Sequence, residues 1–87
     1  METTRIDIET RAVRRSVIVS YFMSAGAEEI GDRMEIGPDS GVRVGPEKTV
    51  SLGSIDIPSV DLAFYGEKDR TERLVQDFRA RFLTAGG

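Results

Sequence analysis

The residues best suited by type to do chemistry are five carboxylates, Glu28, Glu29, Asp32, Glu35 and Asp39, gathered within twelve positions. Hard cations such as Ca²⁺ or Mg²⁺ need several oxygen ligands converging at short range. A loop around Gly37 to Gly41 would supply Asp39 and backbone carbonyls beside Glu35. The spacing departs from an EF-hand, which needs acids at alternate positions before its glycine and a Glu at its end. The competing reading is a solvated charged connection, partly neutralised by Arg33.

A second group is basic: Arg5, Arg11, Arg14 and Arg15. Guanidinium groups gathered at one end of a sheet would suit phosphate, because the fork binds two oxygens at once. Against RNA binding stand a net charge of −3, a pI near 4.9 and the lack of an aromatic-glycine signature of sheet-based RNA binders. The expectation is that Arg5 and Arg14 pair across strands with Asp7 and Glu9 as surface ladders. No affinity for nucleic acid is expected.

The sequence closes on Ala85-Gly86-Gly87. Gly86 stands where a left-handed helix cap is expected. A terminal Gly-Gly also resembles the tail of ubiquitin-like modifiers and sulphur carriers, and that resemblance covers two residues. It implies a terminal carboxylate activated as an adenylate. In those families the tail leaves a final strand, whereas here it follows what reads as a helix.

Catalysis finds little support. The chain has no Cys, His, Trp or Asn, so it offers no thiolate nucleophile, imidazole base, disulfide or Cys/His zinc site of its own. Neither G-x-G-x-x-G nor a Walker lysine occurs. A non-enzyme without a bound cofactor is expected, Ca²⁺ or Mg²⁺ at the acidic stretch being the exception. Few thermolabile residues and 31% charged residues fit a protein from a hot environment. The longest apolar-rich run, Val17 to Met23, is too short to span a bilayer, and the charged start METTRIDIETR is no secretory signal. A cytoplasmic place is expected.

The elements that must position these residues begin with the clearest, Asp69 to Ala85. Leu74, Val75, Phe78 and Phe82 share one arc at helical spacing, with charged residues opposite. Asp69 is expected to cap the first turn, with Glu72 reaching back to it, and Asp69–Arg73 and Asp77–Arg81 to pair along the helix. Ala80 and Leu83 lie on the outward arc, apolar where water is expected, and point to a protein partner or a homodimer. Thr4 to Thr10 alternates as a half-buried strand. Residues 14–23 satisfy helix and strand periods alike; the run VIV with Tyr-Phe favours a strand. Ser24 to Met34 reads as a short helix or turn-rich connection stopped by Gly31.

Short strands follow: Met34 onward, Val42–Val44, Thr49–Leu52, Ile55–Ile57 and Val60–Tyr65, with Pro58 marking a break or an edge. Turn signals every eight to ten residues predict an antiparallel meander rather than parallel crossovers. One domain over residues 1–87 is expected. Its fold class is α+β, a mostly antiparallel sheet of five to six short strands with the C-terminal amphipathic helix packed on one face. Its expected role is a small non-catalytic interaction module, with divalent-cation binding as the alternative.

Overall fold

The computed structural model describes residues 2–82. The chain runs β1 (Thr3–Arg11), α1 (Arg15–Ser24), β2 (Glu28–Ile30), β3 (Arg33–Glu35), β4 (Ser40–Val44), β5 (Lys48–Leu52), β6 (Ile55–Glu67) and α2 (Lys68–Phe82). The strands form one six-stranded sheet in the order β1-β6-β4-β3-β2, and β5 pairs with the first part of β6. Every pairing is antiparallel. The fold class is therefore α+β, as the turn spacing predicts.

Alternation fixes which face each strand buries. Ile6, Ile8 and Thr10 of β1 stand opposite Phe64, Leu62 and Val60 of β6, and Val42 and Val44 of β4 stand opposite Phe64 and Leu62. These side chains meet both helices on one side of the sheet. Phe78 of α2 is 0% exposed and stacks on Phe22 of α1, ring centroids 5.6 Å apart, while Phe64 meets both rings edge-on. Such aromatic contacts add to the area they bury. Val75 and Thr71 of α2 are buried, and Leu74 and Phe82 are half-buried, so the helix lies on the stripe read from its sequence.

Residues 15–24 are a helix, not the strand their β-branched content predicts. Ile18 and Phe22, one turn apart, are its buried pair, with Val19 and Tyr21 half-buried beside them. Val17 and Met23 remain exposed, so apolar residues on both sides blur the period. The helix start has no side-chain cap of its own. Glu47 supplies one from the loop before β5, accepting the Arg15 amide at 2.9 Å and the Arg14 guanidinium at 3.3 Å. Arg15 in turn donates to the Gly45 and Val44 carbonyls.

The connection after α1 holds no second helix. Gly26, at φ +93°, turns the chain into β2, and Gly31, at φ +64°, makes the tight turn into β3. Pro58 does not break β6, which runs through it. Its carbonyl accepts the Ala12 amide just past the end of β1, so the amide it lacks falls where no strand lies to receive it. At α2 the helix begins one residue earlier than read, and Glu67 takes the capping place assigned to Asp69. Its carboxylate accepts the Asp69 and Arg70 amides at 3.2 and 2.8 Å. The ion pair along this helix among the described residues is Lys68–Glu72 at 3.6 Å.

Candidate functional site

Both helices cover one face of the sheet and, among the described residues, leave the other bare. The odd-numbered residues of β1 and β6, together with Gly41, Arg43, Arg33 and Glu35, point to that bare face. Three cross-strand rows organise it. The middle row runs Arg33, Arg43, Ala63, Asp7 across β3, β4, β6 and β1. Beside it lies Glu35, Gly41, Tyr65, Arg5, and on the other side Asp61 and Glu9.

Small residues at the centre make the surface concave. Arg5, Arg33, Arg43, Ala63 and Tyr65 line a depression of about 240 Å³. A neighbouring one of about 450 Å³ is bordered by Asp7, Glu9 and Asp61, and shares Arg5, Arg43 and Ala63. The two depressions differ in sign: arginines dominate the first and carboxylates border the second.

The surrounding contacts hold this face in shape. The Tyr65 hydroxyl donates to Glu35 at 3.1 Å across β4, and burial, then Glu35, pushes its pKa up. Ser59 donates to Glu9 at 2.8 Å and Arg11 to the same carboxylate at 3.3 Å, which lowers the Glu9 pKa. Lys48 meets Asp61 at 2.7 Å, and that contact raises the lysine pKa.

The residues expected to act together are distributed differently. Arg5 pairs with Asp7 on its own strand at 3.0 Å, while Arg14 pairs with Glu47 rather than with Asp7 or Glu9. Arg11 stands at the far end of β1 from Arg5, and Arg14 and Arg15 anchor α1. Arg5 instead shares a depression with Arg33 and Arg43, which only the pairing of β3 with β4 and of β4 with β6 brings beside it.

The five acids do not converge. Glu28 and Glu35 stand opposite one another in β2 and β3, whereas Glu29 is opposite Met34 on the other side of the sheet. Asp32 lies in the β2–β3 turn and pairs with Arg43 at 3.5 Å. Asp39 lies in the β3–β4 loop, its carbonyl taken by the Glu67 amide. Among the described residues no group of three acids is arranged to hold a metal ion. Ala80 is exposed, as expected of the outward arc; Leu83, Ala85, Gly86 and Gly87 lie outside the described residues. Among the described residues no helix is long and apolar enough to cross a membrane.

Comparison with curated protein sequences finds no match. A family model described as archaeal MoaD-like protein matches residues 6–87, nearly the whole chain and through to Gly86 and Gly87. With one match of that extent, the chain belongs to the archaeal MoaD-like family.

Proposed function

We propose that this chain is a non-catalytic carrier-type module of the cytoplasm, which docks on larger protein partners and, with its C-terminus at Gly87 either as made or after cleavage, offers that carboxylate for activation. The observation that carries this reading is the family match, which runs through the Gly-Gly. The bare sheet face supports it by leaving one side of the domain free for a partner. A carboxylate is a poor acylating group. Attack of its oxygen on the α-phosphorus of ATP, with pyrophosphate leaving, would convert it to a reactive mixed anhydride. Two glycines before that carboxylate suit a narrow active site, because no Cβ blocks close backbone approach.

The test uses recombinant residues 1–87 ending at Gly87, with ATP, Mg²⁺ and an adenylating enzyme that serves MoaD-type carriers. A mass gain of one adenylyl group is expected, and its loss when Gly86 and Gly87 are removed. Absence of both the adenylate and a complex with that enzyme would overturn the reading.

Self-association is a second reading, favoured by the β5 arm rather than by Ala80. Among the described residues β5 pairs only with β6, and Leu52 and Ile55, opposite one another at its tip, are 50% and 62% exposed. An unpaired strand edge beside apolar side chains is a template for a second copy. Light scattering across a concentration series tests it: a dimer is expected to fall apart in Leu52→Lys, and a monomer throughout removes the reading.

A further inference from the structure

We propose that Arg5, Arg33 and Arg43 form a binding site for a compact oxyanion of the phosphate class on the bare sheet face. Arg33 and Arg43 stand directly opposite one another in β3 and β4. Like charges so placed destabilise a sheet unless negative charge lies between them. Carboxylates meet part of that need. Asp7 approaches Arg5 at 3.0 Å, Glu35 approaches Arg33 at 3.5 Å and Asp32 approaches Arg43 at 3.5 Å.

All three acids approach through Nε. The terminal Nη nitrogens of the three arginines make no hydrogen bond with the described residues. Those are the donors a guanidinium uses to grip an oxyanion through its fork.

The depression they line completes the site. Its remaining walls are Ala63 and Tyr65, with no carboxylate among the lining residues. Ala63, in register with Arg43, keeps the floor low where a longer side chain would fill it. A volume of about 240 Å³ is ample for a phosphate group. Asp7, Glu9 and Asp61 border the adjacent depression and would repel a polyanion laid across the face. The ligand is therefore a compact anion rather than a nucleic acid strand. Because the arginine side chains are 45–69% exposed, screening by salt weakens the site.

The site is independent of the carrier reading, so the test keeps the two apart. Amide NMR is recorded during titration with sodium phosphate, with sodium chloride at matched ionic strength, and with adenosine monophosphate. Phosphate should give saturable shifts at Arg33, Arg43, Ala63 and Tyr65 that chloride does not. Tighter binding of the nucleotide would assign the phosphate to a nucleotide, and equal binding to the free ion. Arg43→Gln, at an exposed position, should fold normally and weaken phosphate binding by about tenfold, the loss of a charge-assisted contact. A chain lacking Gly86 and Gly87 should bind phosphate unchanged. Shifts equal in phosphate and chloride, or unchanged affinity in Arg43→Gln, would overturn the site.

Discussion

Tyr65 lies across Gly41. The two are in register on β6 and β4, and the phenol reaches over the glycine to donate to Glu35 on β3. A Cβ at Gly41 would stand 2.7 Å from the Tyr65 hydroxyl and 2.8 Å from the Met34 carbonyl. The glycine is thus what lets one side chain tie three strands together on the bare face. It also keeps Tyr65 low as a wall of the arginine-lined depression.

Gly41→Ala is therefore expected to cost about 1–3 kcal/mol, the range for overpacking a tight site. Adding Tyr65→Phe removes the hydroxyl but leaves the Met34 carbonyl at 2.8 Å and the ring carbon at 2.9 Å, so only part of that cost should return. Urea denaturation of the single and double variants checks it. Full recovery in the double variant would show that both β3 and the ring at position 65 shift freely to admit the methyl.

The folded core gives a second expectation. Phe78 is fully buried among Phe22, Phe64, Tyr21 and Phe82, with centroids 4.9–5.9 Å away. Truncation of a buried Phe typically costs about 3–5 kcal/mol, transfer plus cavity. A domain of this length has only about 4–13 kcal/mol in total. Phe78→Ala should bring the chain close to unfolding at moderate temperature. Ala80→Ser, on the exposed arc of the same helix, should stay within about 0.5 kcal/mol. Comparable losses in the two variants would mean that Ala80 is covered in solution.

What the sequence discloses follows from how local each signal is. β1, most of β6 and α2 announce themselves, because their buried residues repeat at a clean period of 2 or 3.6. The stripe through Val75 and Phe78 and the alternation of Ile6 and Ile8 are both found where they are read. α1 is not legible, since Val17 and Met23 place apolar surface outside the core-facing pair Ile18 and Phe22. Its cap, Glu47, arrives from 32 residues away. The arginine-lined depression is hidden for a related reason. Arg33 meets Arg43 only through strand register, and a one-residue slip would send either to the other face. Composition shows the arginines; pairing alone shows that they meet.

The acidic stretch yields a third test. Only Glu28 and Glu35 of its five carboxylates stand opposite one another, and Glu35 already accepts from Tyr65. Ca²⁺ takes six to eight oxygens, so two carboxylates on an open sheet should bind it no better than about 1 mM. Any saturable amide shift with Ca²⁺ or Mg²⁺ should centre on β2 and β3 and vanish in Asp32→Asn with Glu35→Gln. Binding that survives in that double variant would place the cation elsewhere.

Acid sensitivity should reveal the cap of α2. Glu67 accepts the Arg70 and Asp69 amides, and those two bonds, the Arg70 bond first, lower its pKa below the ordinary value of 4.5. A carboxylate with a lowered folded pKa contributes stability that is complete above the unfolded value and is lost as pH falls through the folded one. The Glu67 contribution should therefore be full at about pH 7 and decline below about pH 4.5. Glu9 titrates in the same direction, so the melting curve of the native chain alone cannot isolate Glu67. Glu67→Gln keeps an oxygen to accept one amide but loses the charge at the helix N-terminus. Its melting temperature should lie below that of the native chain at about pH 7, and the two should converge by about pH 3. A gap that stays constant over that range would mean that Glu67 holds the helix by shape rather than by charge.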